Sequence, residues 1–166
     1  MATAGGRTTS SASLGIRIMV RNIGYRPIEI LLVEDNPGDA RLVAEVLREV
    51  RARSRLHVVS DGEEALAFLR RQGMYTSMPR PDIIILDLNL PKKDGREVLV
   101  EIKDDGDLRR IPVIVLTNSR AEEDILRSYD SYGNCYVAKT ENLDDLLNII
   151  RSINDFWLTM VKLPPR

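Results

Sequence analysis

From Ile28 onward the chain alternates short apolar runs with stretches in which apolar residues return every three or four positions. Ile28–Val33, Leu56–Val59, Ile83–Leu86, Val113–Leu116 and Tyr136–Ala138 are of strand length and mostly β-branched or leucine. That pattern predicts strands buried on both faces of a parallel sheet. Between them Val43, Val46, Leu47 and Val50 fall on one helical face, as do Ala65, Phe68 and Leu69, and again Val98, Leu99 and Ile102. Asn36 before Pro37 marks a helix start, and Asp61-x-x-Glu64, Asp94-x-x-Glu97 and Ser119-x-x-Glu122 have capping-box spacing. Five strands joined by right-handed helical crossovers predict an α/β fold, a doubly wound (βα)5 domain over residues 28–155.

In such a fold ligands bind outside the carboxyl ends of the strands, and the caps fix what stands there. Strand 1 ends in Glu34-Asp35, strand 3 in Asp87 and strand 4 in Thr117, while strand 5 runs into Lys139. Three carboxylates gathered at one edge repel at neutral pH, so they take up protons or hold a cation. Oxygen ligands of this hardness suit Mg²⁺. The adjoining Asn36-Pro37-Gly38 turn offers no glycine-rich nest for a nucleotide phosphate.

With a divalent cation bound, one carboxylate can act as a nucleophile toward a phosphoryl group. Asp87 is the best placed, following Ile83-Ile84-Ile85-Leu86 and preceding Leu88-Asn89-Leu90-Pro91, a turn able to bring a backbone carbonyl to the metal. Lys139 and the Thr117 hydroxyl then meet the phosphoryl oxygens. Taken singly, each of these residues reads as a helix-start charge, a cap or a solvated lysine. Their joint order along five segments is what points to chemistry.

Composition narrows the classes further. Residues 1–27 carry four arginines and no acid, which leaves an excess of five acids over residues 28–166. An acidic body argues against direct nucleic-acid binding. No apolar run approaches the roughly 18 residues of a membrane span. One cysteine, Cys135, and one histidine, His57, exclude an internal disulfide and a Cys- or His-based zinc site, and suit a reducing cytoplasm. Both read as structural residues. Residues 1–27, rich in Ser, Thr, Ala and Gly up to Ser13, are expected to be a disordered or mis-started extension, with Met19 an alternative start.

The stretches LLVEDNPGDARL, PDIIILDLNLPKKDG, IPVIVLTNS and NCYVAKT resemble the receiver domain of two-component response regulators, over about residues 28–155. The resemblance implies a flavodoxin-like sheet in the order 2-1-3-4-5. It further implies Asp87 as phosphoacceptor, Glu34 and Asp35 as the metal pair, Asn89 as the donor of a carbonyl to Mg²⁺, Thr117 as switch hydroxyl, Lys139 as the active-site lysine and Tyr136 as switch aromatic. Thr140 stands where family members usually have proline. EALAFLRRQGMY, LPKKDGREVL, RAEEDILRSYD and INDFWLTMVKLPP are similar to the single-domain regulators of cyanobacterial and bacterial phytochromes, implying a phytochrome-type histidine kinase as partner.

Beyond the domain, residues 156–166 form an apolar arm in which Phe156, Trp157 and Leu158 follow a helical stripe of Leu146, Leu147, Ile150 and Ile153. A sheet already covered by helices leaves these side chains no core to enter, so a homodimer that exchanges arms is expected. No output domain is expected in the dozen residues after the stripe. Two other classes compete with a phosphoacceptor. An aspartyl phosphatase is disfavoured because Asn89 replaces its general acid, and a pseudo-receiver acting by binding alone is disfavoured because every acidic, hydroxyl and lysine position is filled.

Overall fold

The computed structural model describes residues 26–49, 54–118, 121–130 and 133–165. Five parallel strands, β1 (Ile28–Val33), β2 (Ser54–Val59), β3 (Ile83–Leu86), β4 (Val113–Thr117) and β5 (Cys135–Ala138), form one sheet in the order β2-β1-β3-β4-β5. They alternate with α1 (Pro37–Glu49), α2 (Gly62–Leu69), α3 (Gly95–Asp104), α4 (Glu122–Asp130) and α5 (Leu143–Asn154). A 3-10 turn at Gly73–Tyr75 follows α2, and a π-helical stretch, Asp155–Met160, continues α5. β2 starts two residues earlier than its apolar run, because Ser54 and Arg55 pair with Ile28 and Glu29 of β1.

Alternate residues of each strand face opposite sides of the sheet. Leu31, Val33, Ile84, Leu86, Val113 and Val115 meet Phe68 and Leu69 of α2 and Val98, Leu99 and Ile102 of α3. Ile30, Leu32, Ile83, Ile85, Ile114 and Leu116 meet Val43, Val46 and Leu47 of α1 and Leu146 and Ile150 of α5. The register sets up the edge where chemistry was expected. Val33 pairs with Leu86, so Glu34 and Asp87 leave the sheet side by side, and Thr117 pairs with Ala138, immediately before Lys139.

The caps follow the sequence with one adjustment. Asn36 Oδ1 accepts from Gly38 N at 2.8 Å, and Asp94 with Glu97 makes the full reciprocal box at the start of α3. Asp61 Oδ1 caps Glu64 N at 2.8 Å, but the Glu64 carboxylate accepts from Ser60 N at 3.0 Å instead of closing the box on Asp61. Ser119 and Val50 lie outside the described residues. The Lys139–Thr140 peptide is trans.

Residues near both ends of the described chain contact the domain. The arm does find a core. Trp157, Leu158 and Leu163 pack against the α1/α5 face, where Trp157 and Leu158 line a small cavity together with Ile30, Ile83, Ile85 and Ile114. Pro164 and Pro165 then lie beside Pro81, Asp82 and Pro112 at the amino ends of β3 and β4. The π-helical stretch thus brings Trp157 and Leu158 to the α1/α5 face of the sheet. Phe156 and Met160 stay exposed, at 53% and 76%. At the other end Arg26, assigned above to the extension, pairs with buried Asp82 at 2.8 and 3.1 Å, and Asp82 also accepts from Glu29 N at 2.9 Å. Residues 1–25 lie outside the described part.

Candidate functional site at the carboxyl edge of the sheet

The carboxyl ends of β1 and β3 deliver Glu34, Asp35 and Asp87, each of which offers a carboxylate oxygen within 4.8 Å of the others. Glu34 and Asp87 are 4% exposed, whereas Asp35 faces solvent. Backbone donors orient the two buried acids. Asn36 N reaches Glu34 Oε1 at 3.0 Å, and Asn89 N reaches Asp87 Oδ1 at 3.0 Å. Gly95 is obligatory beneath Asp87, because a Cβ there would lie 2.2 Å from the Asp87 carbonyl oxygen.

Lys139 crosses from the end of β5 into this group. Its ammonium donates to Asp87 Oδ2 at 2.8 Å, to Asp39 Oδ2 at 2.9 Å and to Glu34 Oε2. Its backbone N–H bonds Thr117 O at 2.7 Å, which ties β5 to the end of β4. Thr117 is fully buried, and Asn89 Nδ2 donates to its hydroxyl at 3.4 Å. The structure thus gathers Glu34, Asp35, Asp87, Asn89, Thr117 and Lys139 at one edge. Tyr136 is half-buried against the α2/α3 core, paired in register with Val115. Phe156, Trp157 and Leu158 belong to the far end of α5, outside this edge.

Asp39, in the first turn of α1, was missed as a site residue. An acid at a helix start is ordinary, so only its contact with Lys139 singles it out. His57, read as structural, stands 2.8 Å from buried Glu29 and stacks at a tilt on Phe68, away from the acidic edge.

The charge balance defines what the site can hold. Burial pushes the Glu34 carboxyl above its ordinary range, and the Lys139 contact offsets this only in part. Burial also disfavours the Lys139 ammonium, but the hydrogen bonds it donates to Asp87, Glu34 and Asp39 outweigh this and hold the group well above the usual lysine range. Three carboxylates contact this one ammonium and Asp35 stands beside them, so among the described residues the edge retains a deficit of positive charge. All candidate ligands are oxygens and one of them is open to solvent, a donor set that fits a hard divalent cation.

The chain matches the response regulator receiver domain family over residues 30–151. It is 54% identical over 138 residues to the response regulator Rcp1 of Synechocystis sp., an alignment covering 83% of this chain and 94% of that protein. The Mn²⁺-bound form of Rcp1 superposes with a TM-score of 0.83 at 53% identity, covering 84% of this chain and 100% of that one. The phosphorylated cyanobacterial phytochrome response regulator RcpA gives 0.82 at 51% identity, again over 84% of this chain and 100% of that one. Among the described residues no helix is long and apolar enough to cross a membrane. Identity above one half across most of both chains, on a shared sheet order, places the chain in the response regulator receiver family, as a two-component signalling protein that receives a phosphoryl group on an aspartate.

Proposed function

We propose that Asp87 is that aspartate, and that it takes the phosphoryl group from the phosphohistidine of a kinase. The observation that carries this reading is the buried contact of Asp87 Oδ2 with Lys139 Nζ at 2.8 Å, inside a carboxylate group whose oxygens lie within 4.8 Å. In the transfer an Asp87 oxygen bonds to phosphorus while the phosphorus–nitrogen bond breaks, and the histidine nitrogen keeps the electron pair. Lys139 and Thr117 donate to the phosphoryl oxygens, where negative charge accumulates. Glu34, Asp35, Asp87 and the Asn89 carbonyl would hold Mg²⁺, which when bound supplies the positive charge that lets one anion approach another. As Thr117 turns inward, Tyr136 moves into the vacated space and alters the α4–β5–α5 face. Water later releases inorganic phosphate and restores the carboxylate, so the chain acts on its own phosphoryl group only.

Further parts of this reading concern partners and setting. A phytochrome-type histidine kinase is the proposed donor, supported by the similarity to RcpA, itself a phytochrome response regulator. Homodimerisation through the arm is supported by the exposed Phe156 and Met160, whereas Trp157 and Leu158 contribute to the domain's own core. Direct contact with nucleic acid or membrane forms no part of it, and the single cysteine suits a cytoplasmic setting. A receiver over 28–155, flanked by an N-terminal extension and the 156–166 arm, is the proposed organisation, with Arg26 docked on the receiver. The test is labelling by purified histidine kinases and by a small acyl phosphate with Mg²⁺. Wild type takes up the phosphoryl group and Asp87→Asn does not; equal labelling of the two would overturn the assignment.

A further inference from the structure

An ammonium has three N–H donors, and in Lys139 all three are engaged, by Glu34 at the end of β1, Asp39 in the first turn of α1 and Asp87 at the end of β3. While a phosphoryl donor approaches and Asp87 is still a carboxylate, the phosphoryl oxygens need one of these donors, so one present acceptor must be released. Glu34 and Asp87 side chains are 3% and 4% exposed, and taking a donor from either leaves a buried anion short of hydrogen bonds. The Asp39 side chain is 23% exposed, and water can replace the lysine there. Asp39 is therefore the acceptor that gives way at least cost.

We infer that Asp39 is a positioning residue that holds the Lys139 ammonium toward α1 in the unmodified protein and competes with the incoming phosphoryl group for it. The inference rests on Asp87 as the phosphoacceptor. It makes the readiness of Asp87 to be modified a property of α1 as well as of the sheet edge. An acid in a first helical turn also complements the helix dipole, but that role requires no contact with a side chain 100 positions further along the chain.

The experiment measures labelling of the full chain by acetyl phosphate with Mg²⁺ at graded donor concentrations. In that reaction an Asp87 oxygen bonds to phosphorus, the phosphorus–oxygen bond to the acetyl group breaks, and acetate leaves with the electron pair. Asp39→Asn keeps the size of the side chain and removes its charge. It is expected to lower the half-saturating donor concentration about two- to fivefold, the range a partly exposed ion pair contributes, with little change in the saturated rate. Asp39→Glu restores the carboxylate and returns the value toward wild type. A purely structural acid would change the melting temperature and leave half-saturation alone. Should Asp39→Asn melt below the assay temperature, Asp39→Ser, also neutral and able to bond the helix start, is read in the same way. Unchanged or raised half-saturation in the neutral variants, with wild type still labelled on Asp87, overturns the inference. Labelling that persists in Asp87→Asn instead overturns the reading beneath it.

Discussion

Lys139 Nζ stands 2.8 Å from Asp87 Oδ2 with both side chains almost wholly buried, although β3 and β5 do not pair with each other. β4 lies between them, and the lysine reaches across its end, where Thr117 is also buried. The contact therefore serves as the counter-charge for an acidic edge assembled from the ends of β1 and β3 and the start of α1.

Removing that counter-charge leaves Asp87 and Glu34 buried and uncompensated. Lys139→Met is expected to cost about 3–5 kcal/mol in urea unfolding without divalent cation, the range for breaking a buried pair by removing one partner. Added Mg²⁺ should raise the unfolding midpoint of the variant more than that of wild type. An equal Mg²⁺ response in the two proteins would contradict this account of the charge balance.

Asp35 is the exposed member of the carboxylate set, so its loss should spare the fold and weaken the cation site. For Asp35→Ala we expect unfolding within about 0.5 kcal/mol of wild type. Mg²⁺ binding by calorimetry should be roughly tenfold weaker or more. Wild-type affinity in this variant would remove Asp35 from the ligand set.

Gly95 supports the site through its lack of a side chain. A Cβ at this position would sit 2.2 Å from the Asp87 carbonyl oxygen and 2.6 Å from Leu88 Cα, so the backbone that aims Asp87 must shift. Gly95→Ala should cost about 1–3 kcal/mol as an overpacked contact, and it should also slow acyl phosphate labelling. Gly106→Ala, with no atom within 4 Å of the added methyl, is the control expected to do neither.

The arm separates core from partner surface residue by residue. Trp157 is half-buried against the α1/α5 face, and Trp157→Ala should cost about 2 kcal/mol, below the 3–5 kcal/mol of a fully buried tryptophan. Phe156 is 53% exposed, and Phe156→Glu should leave unfolding nearly unchanged while shifting sedimentation from dimer toward monomer. Monomeric wild type at micromolar concentration would confine the arm to its intramolecular role.

Asp61 carries a pH signature on the acid side. Burial alone would raise its carboxyl, but the Lys92 ammonium and the Glu64 N–H outweigh that and hold it below its ordinary 3.8. A depressed acid stabilises the fold above its unfolded value and loses that contribution as pH falls through the folded one. Asp61→Asn keeps the cap and loses the charge, a deficit of about 0.5–1 kcal/mol at neutral pH. The melting-temperature gap to wild type should close below pH 3.8; a gap independent of pH would refute the charge contribution.

Which residues stand at the sheet's carboxyl edge was legible from the sequence alone, because strand ends are marked locally. The β-branched run Ile83–Leu86 stops at Asp87, and Asn36-Pro37 and Asp94 announce the helices that follow β1 and β3. Asp39 was not legible. On a sequence it is one more acid in a first helical turn, and its partner lies 100 residues away. The arm was misjudged for a related reason, since a count of five helices says nothing about whether their side chains close the sheet beneath Ile30 and Ile83.

Local patterning by itself determined the alternation of strands and helices, the fold class and the acids, hydroxyl and lysine at the sheet's carboxyl edge. Those features depend on side-chain period and on caps that act within a turn of chain. Only the tertiary structure decided which three carboxylates share Lys139, that Trp157 turns inward while Phe156 turns out, and that Arg26 belongs to the domain through Asp82. The Lys139 contacts join residues from 52 to 105 positions apart, where strand register and burial set distance and charge state together.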